Sequence, residues 1–417
     1  MPSVCFYFQV HQPMRIKKYR IFDIGNDSHY FNDSSDSKLN NKKILDKVAH
    51  KSYLPTNALL LDLLKKFPQF AVSFSLSGVL LEQLELYQPE VLESFQKLVN
   101  TGRVELLSET YYHSLSFLYS EQEFEAQIDL HKKKIKKLFN QNPRVFRNTE
   151  LIYNNALAKK IESMGFKGIL AEGADHILQW RSPNFLYQPQ GTNTMKLLLK
   201  NYKLSDDIAF RFSSKEWKEH PLTAEKFAQW ISAINGNGQI VNLFMDYETF
   251  GEHQWEDTGI FNFLHALPGE ILKHPDNDFV TPSQAVKRYT TMGELDIHHF
   301  ISWADIERDL SAWRSNAMQY DAMGKLYSLE DAILNTKDKQ LIHDWRRLQT
   351  SDHFYYMCTK WFADGDVHKY FNPYESPYDA FIAFMNVIND LKLRLQLSAE
   401  KKVQKKIPAK KQYAHAF

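Results

Sequence analysis

The chain alternates short apolar runs with stretches whose apolar residues have helical spacing, from its N-terminus to Met245. The runs that predict buried strands lie at 4–10, 70–76, 104–107, 145–146, 168–171 and 239–245. Between them, helical spacing predicts helices at 54–67, 79–100 (interrupted near Pro89), 121–139 and 155–164. Strands that alternate with helices run parallel and are joined by crossover helices. The first part of the chain is therefore predicted to be an α/β layer or barrel.

The strand signal fades after residue 300. Two stretches, 304–327 and 378–397, have helical spacing of apolar residues, and Trp303 and Trp313 are interpreted as core residues on similar faces of a helix. Beyond them the chain is rich in lysine and has no acidic residue between 401 and 411. These changes predict a barrel domain at 1–300, a helical domain at 301–398 and a disordered tail at 399–417.

Composition excludes several classes of partner. The 51 Lys and Arg residues nearly cancel the 50 Asp and Glu residues, so no overall field favours nucleic acid or an anionic membrane. No apolar run approaches the ~18–20 residues that span a bilayer. The two cysteines and an N-terminus without a positive leader predict a reducing, cytoplasmic location. The 14% aromatic content favours carbohydrate weakly, because aromatic faces stack on sugar rings.

Polar and acidic side chains follow four of the predicted strands. The carboxyl ends of parallel strands face one crevice, so these side chains are expected to meet. They are His11 and Gln12; Glu105, which lies within its strand, with Glu109 and His113 beyond it; Glu150; and Asp246, Glu248 and His253. Singly, each has a structural interpretation: Glu150, for example, could be an acidic residue favoured at a helix N-terminus. Together they favour a functional site, because the structural interpretation gives no reason for all of them to follow strands.

A pair of carboxyl groups suits the hydrolysis of glycosides. One carboxylate attacks or stabilises the anomeric carbon, and a protonated carboxylic acid delivers a proton to the leaving oxygen. Glu150 and Asp246 are the predicted pair, because both follow strands and have aromatic neighbours in sequence, among them Trp255.

A metal-dependent hydrolase is the main alternative. None of the 16 histidines stands at His-x-His or His-x-x-x-His spacing, although ligands distant in sequence stay possible. The chain also lacks the glycine-rich nucleotide motifs and the nucleophile elbow. We therefore predict neither a metal nor another cofactor.

Five ordered segments carry a family resemblance. They are HQP at 11–13, GRVEL at 102–106, RNTELIY at 147–153, MDYETFGEH at 245–253 and LQTSDHFYY at 348–356. Together they resemble the ordered motifs of glycoside hydrolase family 57, and the sequence around Asp246 is most similar to its α-amylase group.

This resemblance implies an incomplete (β/α)7 barrel followed by a C-terminal helical region that contributes to the cleft. It further implies a retaining mechanism on α-glucans without a metal. Glu150 matches the family's nucleophile and Asp246 its acid/base. His11, Glu105 and Glu248 match residues around the attacked sugar, and Asp352 matches an acidic residue from the helical region. We also place Gln12, His113, His253 and Trp255 in the substrate-binding set, from their positions in the sequence.

Three alternatives to an α-1,4-glucan hydrolase remain at this point. A 4-α-glucanotransferase could use the same site, with a sugar hydroxyl in place of water. A metal-dependent deacetylase or mannosidase-like hydrolase could use a related barrel. A regulatory glucan-binding protein could keep the pocket without catalysis, although it would not need both carboxylates.

Overall fold

The computed structural model describes residues 2–31, 33–360 and 367–406, with side chains up to residue 398. Within this part the strands are β1 Ser3–Val10, β2 Val72–Leu76, β3 Val104–Leu106, β4 Val145–Arg147, β5 Gly168–Glu172, β6 Gln188–Pro189, β7 Lys196–Lys200, β8 Ile240–Asp246, β9 Asp278–Phe279 and β10 Glu294–Leu295. The helices are α1 Asn41–Val48, α2 Leu54–Lys66, α3 Gly78–Tyr87, α4 Pro89–Val99, α5 Glu121–Phe139, α6 Asn155–Ser163, α7 Asp175–Leu178, α8 Tyr202–Ala209, α9 Ala224–Ser232, α10 Ile260–Leu272, α11 Pro282–Arg288, α12 Ala317–Tyr327, α13 Glu330–Thr336, α14 Lys339–Arg347, α15 Ser351–Tyr355, α16 Val367–Phe371 and α17 Pro377–Lys406.

The main strands form a (β/α)7 barrel. Parallel ladders join them in the orders β3-β2-β1-β8 and β4-β5-β7. A parallel bridge between Ser108 and Phe146 joins β3 to β4. The Asn201 amide donates to the Asn242 carbonyl at 2.9 Å, which joins β7 to β8. These two short joints close the barrel, so the predicted fold class is confirmed.

The barrel strands are buried on both faces, as expected of parallel strands covered by helices. Every residue of β1 is buried. Its Phe6 and Phe8 pack outward among the surrounding helices. Cys5 and Tyr7 point to the other side, where they pack against residues of four other strands: Val145, Leu170, Leu198 and Phe244. Residues of β1 with odd numbers therefore face the barrel interior, and this parity leads on to Gln9 and His11.

Short polar side chains begin several of the helices. Ser77 accepts a hydrogen bond from the Leu80 amide before α3, Ser120 from the Glu123 amide before α5, and Asn154 from the Leu157 amide before α6. Such caps satisfy amides that have no partner inside the helix. Helix α5 ends at Phe139, and Asn140 after it has a φ of 55°, the left-handed conformation common after a helix.

The C-terminal region is helical, with one correction to the prediction. Residues 304–316 are a loop, and α12 begins only at Ala317. Two loop residues, Asp305 and Arg308, have φ values of 56° and 50°, which a helix does not allow. The apolar spacing that predicted a helix reflects burial instead, because Trp313 is 1% exposed in the core.

The helical region shares a hydrophobic core with the segment that follows β1. Ile16, Tyr19 and Tyr30 belong to the same buried cluster as Phe384 and Ile388 of α17. The division at residue 300 stays a prediction. Helix α17 runs on to Lys406, so residues 399–406 of the predicted disordered tail are helical, and residues 407–417 lie outside the described residues. No helix of the described part is long and apolar enough to span a bilayer.

Candidate active site

A cavity of about 300 Å³ opens at the carboxyl ends of the barrel strands. We call it the barrel-end cavity. Most of the predicted site residues line it: His11, Gln12, His113, Glu150, Asp246, Glu248, His253 and Asp352. These residues lie in the turns that leave the strands and, for Asp352, in α15 of the helical region. Glu105 and Trp255 lie elsewhere.

Glu150 follows β4 in a tight turn that fixes the direction of its side chain. Its φ of 58° and ψ of 26° place a residue other than glycine in the left-handed region, a conformation that costs about 1 kcal/mol or more. The carboxylate accepts a hydrogen bond from Trp303 Nε1 at 2.8 Å and one from Ser351 Oγ at 3.2 Å. Ser351 belongs to α15, so barrel and helical region both hold this carboxylate.

His113 supports Glu150 from within the barrel. Its Nδ1 is 2.8 Å from Glu109 Oε2, and its Nε2 is 3.4 Å from Glu150 Oε1. Burial alone would lower the pKa of His113, but the two carboxylates raise it to about 9, so the imidazolium is the stable form at neutral pH. Burial likewise opposes ionisation of Glu150, yet its contacts with His113 and the charge of Arg147 bring its pKa below the usual value. Glu150 is therefore held as a carboxylate.

Asp246 ends β8 and has the opposite character. Burial, followed by the negative charge of Glu150, raises its pKa to about 6, against the opposing charges of Arg147 and Lys200. The two carboxyl groups thus influence each other across one cavity, and their pKa values are separated. This is the electrostatic arrangement of a nucleophile and a proton donor.

Glu248 lies one turn beyond Asp246 and is the more basic of the two. Burial and the charge of Asp246 raise its pKa to about 8. Tyr53 Oη donates a hydrogen bond to Glu248 Oε1, which Gln12 Nε2 also approaches at 3.3 Å. As a neutral acid at pH 7, Glu248 can donate a hydrogen bond to a ligand.

His11 connects the barrel to the helical region. Its Nε2 lies 3.0 Å from Asp352 Oδ2, and its Nδ1 lies 2.7 Å from Ser77 Oγ. Its ring stacks on that of His113, with 4.0 Å between the centroids. Burial and the neighbouring positive His113 lower the pKa of His11. Two stacked imidazoles, of which His113 is charged, therefore form one wall of the cavity.

Three residues of the cavity, Arg147, Lys200 and Trp303, were not predicted as functional. Arg147, at the end of β4, is buried, and none of its guanidinium nitrogens has a hydrogen-bond partner within the described part of the chain. Its Cζ lies 5.0 Å from the ring centroid of Trp303, and Lys200 Nζ lies 5.5 Å from that centroid. Trp303 was assigned to a helix core, but it stands in a loop at the cavity. Arg147 opens the segment RNTELIY directly after a predicted strand, and this position was the signal that could have identified it.

Three predicted residues need separate placement. His253 lines the barrel-end cavity, where burial lowers its pKa to about 4 and keeps it neutral. Glu105 lies outside the cavity: it accepts a hydrogen bond from the Ser283 amide at 2.8 Å, at the start of α11. It is in register with Ser73 and Tyr7, so it faces the barrel interior below the cavity, and its expected role beside the sugar is not supported. Trp255 is 59% exposed and lines a different groove.

Among the described residues, no group of three or more His, Cys, Asp or Glu side chains is placed to hold a metal ion.

Comparison with known proteins assigns the chain to a family. The family model described as "Glycosyl hydrolase family 57" matches residues 5–298. A provisionally named α-amylase of Methanocaldococcus jannaschii is 45% identical over 399 residues, which cover 93% of this chain and 83% of the relative. The chain is therefore a glycoside hydrolase, the class that two carboxyl groups at the end of such a barrel indicate. It belongs to glycosyl hydrolase family 57.

Two further similar proteins have names that describe other activities. A 4-α-glucanotransferase of Thermococcus litoralis is 23% identical over 258 residues, which cover 60% of this chain and only 37% of that longer protein. The crystal structure of a GH57-type branching enzyme from Pyrococcus horikoshii superposes with a TM-score of 0.67 at 17% identity, covering 89% of this chain and 87% of that one. The superposition supports the barrel fold.

Proposed function

We propose that this protein hydrolyses α-1,4-glucosidic bonds of glycogen, starch or maltodextrin with retention of anomeric configuration. Glu150 is the proposed nucleophile and Asp246 the proposed acid/base. The observation that carries the proposal is the opposite electrostatic character of these two carboxyl groups in one cavity. The pKa of Glu150 is lowered, whereas that of Asp246 is raised to about 6.

In the first step, a Glu150 oxygen attacks the anomeric carbon while the bond from that carbon to the glycosidic oxygen breaks. The proton of Asp246 passes to the departing oxygen. Trp303 Nε1 and Ser351 Oγ hold the attacking carboxylate in place. In the second step, Asp246 takes a proton from water, whose oxygen bonds to the anomeric carbon and releases Glu150.

The remaining cavity residues are proposed to bind the sugar. Gln12, Glu248, His11 and Asp352 present donors and acceptors suited to hydroxyl groups, and His113 positions Glu150.

A 4-α-glucanotransferase is the second candidate, favoured by the likeness to the Thermococcus litoralis enzyme. It uses the same first step, and a sugar hydroxyl replaces water in the second. Incubation of the purified protein with maltoheptaose, with and without a labelled acceptor sugar, separates the two. Hydrolysis gives shorter sugars and no labelled product, whereas transfer gives longer, labelled chains.

The assignment of the two carboxyl groups is tested by Glu150→Gln and Asp246→Asn. Each is expected to lower kcat by several orders of magnitude while the melting temperature stays near that of the wild type. Glu105→Gln is the matched control, because Glu105 is also a buried acid of a barrel strand but lies outside the cavity. Its kcat should stay within a few-fold of wild type. Near-normal kcat in either cavity variant would contradict the proposal, and so would loss of activity on treatment with a strong chelator.

A further inference from the structure

A second cavity, of about 920 Å³, opens on the loop that follows β8. We call it the Trp255 groove. Its walls come from the π-helical turn Ala49–Tyr53, from α2, from the loop itself and from the start of α10. None of the residues that line the groove lines the barrel-end cavity. The groove is therefore a separate place on the molecule.

An exposed indole forms one side of this groove. Trp255 keeps 59% of its surface exposed, yet its orientation is fixed. Its Nε1 donates to the Glu252 carbonyl at 3.1 Å, and Lys51 Nζ lies 5.5 Å from the ring centroid. A large aromatic side chain that is held in place and left exposed offers contact area at little entropic cost.

The remaining lining suits a sugar ring better than an ion. Pro55, Leu59 and Phe261 supply half-buried apolar surface, and exposed Asn262 and His265 supply hydrogen-bonding groups at the edge. A pyranose has the matching surfaces, with apolar C–H faces and a rim of hydroxyl groups. One lysine, Lys51, stands against two carboxylates, Glu256 and Asp257, so the groove has no excess of positive charge that would favour a phosphate.

The groove and the barrel-end cavity share one loop. His253 lines the cavity, whereas Gly251 and Trp255 on either side of it line the groove. Gly251 has a φ of 103°, and a Cβ there would lie 1.9 Å from the Lys51 carbonyl oxygen. The loop is thus packed directly against the π-helical turn, and the groove keeps a fixed position relative to the cavity.

We propose that the Trp255 groove binds a segment of an α-glucan chain outside the barrel-end cavity. The inference rests on the proposed function, because in that function an α-glucan is the substrate of the enzyme. A polysaccharide would then contact the protein at two places, whereas a short oligosaccharide would occupy the cavity alone.

Affinity electrophoresis in native gels containing glycogen tests this inference. The measurements are made in the Glu150→Gln background, so that the polymer is not degraded. Trp255→Ala is expected to weaken the apparent affinity for glycogen by about tenfold, the effect of losing one well-placed aromatic contact. In the otherwise wild-type protein, the same substitution should leave kcat/KM unchanged for the shortest maltooligosaccharide that is cleaved.

Trp180→Ala is the matched control. Trp180 is 84% exposed and lies outside the groove, so its removal should leave retardation by glycogen unchanged. Equal retardation of the Trp255→Ala variant and its parent would overturn the inference, as would an equal loss in the Trp180→Ala variant. A change of elution volume in size-exclusion chromatography on Trp255→Ala would also overturn it, since the groove would then bind a second copy. If the protein releases no product from any α-glucan, the proposed function fails. If it hydrolyses α-glucans normally but Trp255→Ala does not change its retardation, the function stands and the inference about the groove fails.

Discussion

At the scale of single residues, the indole of Trp303 links the nucleophile candidate to the cavity wall. Its Nε1–H donates to Glu150 Oε2 at 2.8 Å, a hydrogen bond to a charged group. Trp303→Phe keeps the ring and removes this donor. We expect kcat/KM to fall about tenfold or more, since such a bond contributes about 1.5–3 kcal/mol. The acid limb of the pH profile should also move to higher pH, because the carboxylate loses a stabilising donor.

Trp313→Phe provides the comparison for this prediction. The Trp313 indole nitrogen has no hydrogen-bond partner within the part of the chain that the structure describes. Its replacement removes no bond, so the pH profile should keep its shape. If both variants moved the acid limb equally, the effect would not come from the bond to Glu150.

The pH dependence of kcat/KM follows from the two carboxyl groups. The proposed mechanism needs Glu150 ionised and Asp246 protonated. Glu150 ionises below the usual pKa of a glutamate, and Asp246 loses its proton at about pH 6. Activity should therefore be high at mildly acidic pH and fall as the pH rises through about 6. A basic limb near the pKa of an unperturbed aspartate would contradict the assignment of Asp246.

Arg147 should influence the pH at which both limbs of the kcat/KM profile lie. Its positive charge lowers the pKa of Asp246 and that of Glu150. Arg147→Met should move the whole profile to higher pH, because both groups then hold their protons more tightly. Arg147→Lys keeps the charge and should restore most of the original position. An unmoved profile in the methionine variant would show that Arg147 does not act on these groups.

Sequence predicted the acidic residues of the site better than its basic and aromatic ones. Carboxylates after apolar runs, such as Glu150 and Asp246, stand out because burying a charge has no purely structural benefit. Trp303 has no such signal: an aromatic residue near a buried stretch has the same appearance in a core. Glu105 shows the opposite error: it faces the barrel interior, but it is level with Tyr7 and so lies deeper than Gln9, which lines the cavity.

At the scale of elements, the loop at 302–316 carries Trp303 and is fixed to the barrel. Arg308 Nη1 lies 2.8 Å from Glu172 Oε2 at the end of β5, as an ion pair whose geometry is not that of a hydrogen bond. Within the loop, the Ser302 amide donates to the Arg308 carbonyl at 3.0 Å. The loop therefore owes its position to one buried carboxylate as well as to its own hydrogen bonds.

Arg308→Met should release this loop. Glu172 is fully buried, and among the residues that the structure describes it would keep one positive neighbour, Lys200 at 3.7 Å. We expect the free energy of unfolding to fall by about 1–3 kcal/mol, below the full cost of an unpaired buried charge. The kcat should fall as well, because Trp303 is less well held. Lys325→Ala breaks an exposed pair with Asp321 and should cost under about 0.5 kcal/mol. If Arg308→Met and Lys325→Ala lowered the free energy of unfolding in urea equally, the buried pair of Arg308 and Glu172 would not stabilise the loop as described.

Helices and strands were predictable where the buried apolar residues followed a regular helical or strand spacing. The helix at 121–139 has the predicted bounds, and the strands at 4–10 and 168–171 differ from the observed ones only at their ends. Strand β7 was missed because lysines flank its three leucines, although Lys200 is buried beside Glu172. A charge that is neutralised by a distant residue cannot be recognised as buried from its own neighbours in sequence.

At the scale of the whole molecule, the barrel and the helical region are expected to unfold together. Ile16, Tyr19, Tyr30 and Leu39 of the barrel half pack in one hydrophobic cluster with α12, α15 and α17. Differential scanning calorimetry should give one transition, and activity should be lost over the same range. Two separated transitions would contradict this expectation.

Ile388→Ala tests the same core. Ile388 is fully buried in α17, so its truncation should lower the free energy of unfolding by about 2–5 kcal/mol. The Ile382→Ala control lies on the same helix but is 54% exposed, and it should change stability by less than about 0.5 kcal/mol. Both melting temperatures are measured in the same buffer. Similar shifts for the two variants would show that α17 is not packed as described.

The position of Trp303 beside Arg147 and Lys200 gives the protein a fluorescent reporter of its own. Two cations lie within 5.5 Å of the ring centroid, and the indole nitrogen donates to a carboxylate. The emission of an indole depends on the field and the water around it. A sugar that enters the barrel-end cavity should therefore alter the fluorescence of the Glu150→Gln variant. That signal should disappear when Trp303 is also replaced by phenylalanine.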